Sequence, residues 1–127
     1  MSDDPTTVRS VAVTREDVVR ALELRERGGP RAVLRVTPPF SGRMRARLHV
    51  DGREGEYADP APLHVPPVRF VGDPPPLPAA DDTADALRER HERALAGWRR
   101  AVGERIVETT TLETPEGPHR VAVAVLG

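Results

Sequence analysis

The stretch "RAVLRVTPPFSGRMRARLHV", Arg31 to Val50, holds two alternating runs around a loop rich in Pro and Gly. Ala32, Leu34 and Val36 alternate with Val33, Arg35 and Thr37, and Met44, Ala46, Leu48 and Val50 alternate with Arg43, Arg45, Arg47 and His49. Period-two alternation on both sides of a turn is the mark of a β-hairpin. Pro38 to Gly42 make the loop. Pro38 and Pro39 end the first strand, because proline has no N–H to give to a ladder. Cross-strand partners then sum to an even number, whether Val36 faces Met44 or Ala46. Either register puts Ala32, Leu34, Val36, Met44, Ala46 and Leu48 on one face. Either register puts Arg35 on the other face with Arg43, Arg45 and Arg47.

A face of four arginines needs an explanation, since like charges opposite each other on a sheet are destabilising. Carboxylates on neighbouring segments can offset it, with Glu54, Glu56, Asp59, Glu108 and Glu113 as candidates. Solvent and salt can screen it. An anionic partner can bind it: a phosphate, a nucleic-acid backbone or the acidic face of another protein. Phe40, at the loop tip beside Arg43, is the aromatic placed to assist such binding; its other role is to cap the end of the core.

Working outward, Thr7 to Val13 reads as a short strand. Thr14 is placed to cap a helix whose first turn holds Glu16 and Asp17, where the helix dipole favours anions. Val18, Ala21 and Leu22 form its apolar stripe, and Gly28, Gly29 and Pro30 stop it. Asp51-Gly52 is a turn, and Arg53 to Pro62 reads as an exposed loop. "LHVPPVRFV", broken by Pro66 and Pro67, is at most an edge strand or an extended segment. The Pro-rich run at 72–82 reads as a stiff connector. From Asp81 to Val102, Leu87, His91, Ala94, Leu95, Trp98 and Val102 follow the spacing of one helical face, with Trp98 as the anchor that docks the helix on a sheet. "RIVETTTLET" and "HRVAVAVLG" form a second hairpin around "PEGP". Val121, Val123 and Val125 share one of its faces, and Ala122, Ala124 and Leu126 share the other. The small residues on that second face would let a helix approach closely.

These elements give an α+β plan: an antiparallel sheet of two β-hairpins plus a short N-terminal strand, with two helices packed on it. Residues 1–6 are expected to be disordered, and 7–127 to form one domain. A length of 127 residues is enough for a real core. Aromatic residues are only 3%, so that core is built from Val, Leu and Ala.

Composition also excludes chemistry. With no cysteine, disulfides, thiolate catalysis and Cys-based zinc sites are out. No run approaches the length of a membrane span, and "MSDDPTTVRS" lacks the apolar region of a signal peptide, so a cytoplasmic location is expected. All the Lys+Arg cations are Arg, and Lys, Asn and Gln are absent, as a GC-rich coding bias produces. The formal net charge of −1 gives no global basic field for nucleic acid. The four histidines, His49, His64, His91 and His119, show no metal spacing, and no nucleotide-binding or nucleophile motif is present. No catalytic residue, cofactor or metal is therefore expected.

The blocks "AVLRVTPPFSGRMRARLHV", "HVPP" and "GWRRAVGERIVETTTLETPEGPHRVAVAVLG" resemble a family of small uncharacterised proteins of halophilic archaea. The resemblance spans most of the chain and brings no assigned activity and no site residues. At the molar salt it implies, screening acts within about 3 Å, and an exposed arginine row costs little. Halophile proteins are usually more acidic than this one, which implies a basic patch offsetting the acids.

The first functional expectation is a non-enzymatic interaction domain that binds a protein partner or itself. The alternatives are nucleic-acid or phosphate-ligand binding by the arginine face, and a small enzyme with a dispersed site at His64 and the Glu54–Asp59 loop. The candidate binding residues are Arg35, Arg43, Arg45, Arg47 and Phe40.

Overall fold

The hairpin forms as the alternation predicts. Strands β2 (Ala32–Val36) and β3 (Arg43–Val50) pair antiparallel, with Val36 opposite Ala46, Leu34 opposite Leu48 and Arg35 opposite Arg47. The computed structural model containing them describes residues 2–29, 31–50, 61–79 and 85–126. The expected turn at Asp51-Gly52, the expected loop with Glu54, Glu56 and Asp59, and the expected helix start at Asp81 lie outside the described residues.

Strand β1 (Ser10–Thr14) leads directly into helix α1 (Arg15–Glu26). Thr14 caps α1 as expected, its Oγ1 accepting from the Asp17 N–H at 3.1 Å. Val18, Ala21 and Leu22 are buried. Strand β4 (Leu63–Val65) is a three-residue edge strand beside β2, as its flanking prolines require. Helix α2 spans Asp85–Gly103, followed by β5 (Thr109–Thr114) and β6 (Gly117–Leu126). Two 3-10 turns, Pro5–Thr7 and Pro67–Phe70, complete the order.

The sheet is not antiparallel throughout. Its order is β4-β2-β3-β1-β6-β5, and β1 lies between the two hairpins, parallel to β3 and to β6. Each hairpin is a local feature that its turn encodes. What comes between them is not local. Val11 and Val13 fill the core from β1, while Ser10, Ala12 and Thr14 are half-buried on its other face. The second hairpin is also shorter at its start than expected. Arg105 to Glu108 precede β5, and Ile106 forms an isolated bridge to Val71 instead.

The six strands curl until the sheet is nearly barrel-shaped. The 3-10 turn after β4 reaches across to β5. The Arg69 guanidinium donates to the Thr111 carbonyl at 3.3 Å and to Glu113 at 2.9 Å, and the Thr110 hydroxyl donates to the Arg69 carbonyl at 2.6 Å. Inside lie the valines, leucines and alanines of the inner face, with Phe40, Phe70, Leu34 and Leu112 the largest fully buried side chains. Ser2 exchanges backbone hydrogen bonds with Phe40 at 2.7 Å, and Pro5 is buried.

The helices form two layers rather than one. Helix α1 packs on β1, β2 and β3, and α2 packs on α1. Of the expected α2 stripe, Leu95, Trp98 and Val102 are buried, whereas Ala94 and Leu87 are exposed. Trp98 anchors α2 from within the core cluster, and its indole N–H donates to the Pro75 carbonyl at 2.8 Å. The described part of the Pro-rich connector is thus a strap held to α2. Among the described residues, no helix is long and apolar enough to cross a membrane.

Candidate functional site

The inner face of β3 is fixed by burial, so its outer face is fixed too. One-residue slippage would move every apolar side chain of β3 into solvent. Two neighbours hold the strand. Pairing with β1 runs from Ser10–Arg43 to Ala12–Arg45, two residues before β1 ends and the chain turns into α1. Beyond it, the Asp17 carboxylate accepts the Leu48 N–H at 3.3 Å. One acidic residue of the first helical turn therefore serves both the helix terminus and the exposed half of β3.

On the outer face, Arg43 and Arg47 are exposed and Arg45 is half-buried. Among the described residues, no carboxylate forms an ion pair with Arg43, Arg45 or Arg47. Of the expected offsetting acids, Glu113 is taken by Arg69, and Glu108 is exposed at the entrance to β5. The Nε of Arg45 is inaccessible to solvent and has no hydrogen-bond partner among the described residues. Both helices are on the inner side, so no helix among the described residues covers this row.

Arg35 sits differently. It faces Arg47 on one side and His64 of β4 on the other. Its guanidinium lies 3.2 Å from His49 Nδ1, and the His49 and His64 rings are 5.3 Å apart between centroids. Arg35 therefore belongs to a compact cluster with two histidines, while Arg43, Arg45 and Arg47 form an open column. His49 was legible as part of this face from its parity on β3. His64 was not, because only the β4–β2 pairing brings it there.

Phe40 does not join the face. It is fully buried, and its backbone pairs with Ser2, so it caps the core. Stacking of a base on Phe40 is excluded by that burial.

Two further concavities bear on the candidate sites. One, of about 560 Å³, lies near the seam of the sheet between β4 and β5, lined by Phe40, Leu63 and His64 together with Asp3, Glu113 and Glu116. It brings His64 into a cleft, but no group of three or more possible metal ligands occurs among the described residues. The other, of about 350 Å³, is a furrow between the helices. Glu23 spans it, accepting two hydrogen bonds from Arg99 at 2.7 and 2.9 Å and pairing with Arg27 at 2.8 Å. The hydrogen bonds from Arg99 hold the Glu23 carboxyl below its usual range, against the partial burial that would raise it. This arrangement clamps α1 to α2 and leaves no polar group of Glu23 free for chemistry.

The distinctive surface is thus the open arginine column beside a smooth strip of sheet. No curated protein and no solved structure shows a match to the chain. A family model described as a domain of unknown function matches residues 1–127 throughout, and the protein belongs to that family, DUF8009.

Proposed function

We propose that the protein is a non-enzymatic interaction domain that docks an acidic protein surface against Arg43, Arg45 and Arg47. One observation supports this reading above the others: a column of three guanidinium groups, on a strand locked in register, with no carboxylate paired to it among the described residues. Guanidinium groups are the side chains best suited to bind carboxylates in two-pronged geometry. The burial of Phe40 removes the one aromatic that sequence placed beside the row, which disfavours base stacking.

The test compares the parent with Arg43→Ala/Arg45→Ala/Arg47→Ala. Both are used to capture partners in cross-linked extracts, and both are titrated with a single-stranded oligonucleotide at low and high salt. Loss of the captured protein in the triple variant, with no oligonucleotide binding by either form, supports the reading. Equal capture by both forms refutes it. Oligonucleotide binding that weakens steeply with salt and is lost in the variant replaces it with phosphate recognition.

A further inference from the structure

We infer that the outer face of β3, β1 and β6 seats an acidic amphipathic helix supplied by a partner protein. This inference rests on the proposed function above and names the shape and chemistry of the occupant. The pairing registers set the outer face out as three parallel columns. Arg43 and Arg45 lie beside Ser10 and Ala12 of β1, which lie beside Ala122 and Ala124 of β6; Leu126 continues the last column beside Thr14. Ala122, Ala124 and Leu126 are exposed, Leu126 at 41%. Small residues on a sheet face normally admit a helix. In this chain both helices are on the other side, so the described part of the face has no helix of its own.

Dimensions decide what fits. Neighbouring strands lie about 4.8 Å apart, so β3 to β6 spans about 10 Å, the width of one helix with its side chains. A helix lying over β1 meets β6 on one flank and the arginines on the other. Alternate residues along a strand are about 6.8 Å apart, so Arg43 to Arg47 covers about 14 Å. Residues at i, i+4 and i+8 of a helix rise about 6 and 12 Å. Three carboxylates at that spacing can each reach one guanidinium. The fitting partner has acids along one edge and small or aliphatic residues on the adjoining face. An extended acidic segment can match the charges, but it has no continuous apolar face for the alanine floor.

The test uses ¹⁵N-labelled protein and a synthetic helix-forming peptide with Glu at i, i+4 and i+8 and an adjoining Ala/Leu stripe. A peptide of the same composition with permuted order is the control. The expected result is shift changes confined to β1, β3 and β6, and affinity about tenfold above the permuted peptide. Ala124→Tyr, which raises the floor without changing charge, should lower that affinity by about tenfold and leave binding of the permuted peptide unchanged. Equal affinity for both peptides, with no effect of Ala124→Tyr, overturns the helix while leaving arginine-mediated docking standing. Absence of binding by either peptide, or shifts on another face, also overturns it; the partner-capture experiment then judges the docking reading by itself.

Discussion

Arg45→Thr should make the protein more stable, most of all at low salt. Arg45 lies between Arg43 and Arg47 on one face of β3, and its Nε is shut off from solvent with no acceptor among the described residues. A buried donor left unmade costs about 1–3 kcal/mol. The flanking guanidinium groups, at about 7 Å each, repel it by about 0.6 kcal/mol apiece in water before screening. Two such terms total about 1 kcal/mol at 10 mM salt, where the screening length is about 30 Å, and about 0.1 kcal/mol at 1 M, where it is about 3 Å. The unfolded chain keeps about half of this, because the same residues stay close in sequence. Against these gains stands the lost packing of the arginine stem, about 1 kcal/mol. Thr also suits a half-covered strand position. The net gain is about 1 kcal/mol, of which about 0.5 kcal/mol depends on salt. With an unfolding entropy of about 2.1 cal/mol/K per residue over this chain, 1 kcal/mol is about 4 °C in Tm. Thermal unfolding of parent and variant at 10 mM and 1 M salt measures both parts. A variant less stable than the parent at both salts, or a difference that does not shrink with salt, refutes the reasoning. The expected gain matters for function: a residue that lowers stability and breaks the local pairing rule is one whose presence needs a role outside the fold.

Glu23→Gln should cost about 1 kcal/mol near neutral pH, read by denaturant unfolding, because it breaks the clamp to Arg99 and Arg27. The Glu23 carboxyl is lowered in the folded state, so its contribution is full above the unfolded carboxylate range and fades as pH falls through the folded value; parent and variant should converge in acid. A difference that persists unchanged in acid would falsify this account. Phe40→Ala should cost about 3–5 kcal/mol, or about 11–19 °C in Tm, since the side chain is fully buried. Partner binding by the folded fraction should be unchanged; selective loss of binding at preserved stability would return Phe40 to the binding face.

Much of the local structure was legible because its causes are local. Alternation and the Pro38–Pro39 break mark the β2–β3 hairpin, and any loop that keeps pair sums even joins Arg35 to the arginine row. The Thr14 cap and the α1 stripe were legible for the same reason. The boundary of β5 was misread because "RIV" suits a strand on either side of a bridge, and Ile106 pairs with Val71 rather than with β6.

By itself, then, the sequence determined two helices, two hairpins, a core of aliphatic side chains and one face rich in arginine. These follow from period, turn chemistry and side-chain type, all read over a few residues. Only the tertiary structure decided that β1 lies parallel between the hairpins, that α2 stacks on α1, and that Phe40 is core while His64 reaches the arginine cluster. Those outcomes depend on which apolar faces bury against one another across long loops, and no local pattern records that competition. The same competition left the alanines of β6 and the arginines of β3 on either side of β1, on a face without a helix among the described residues.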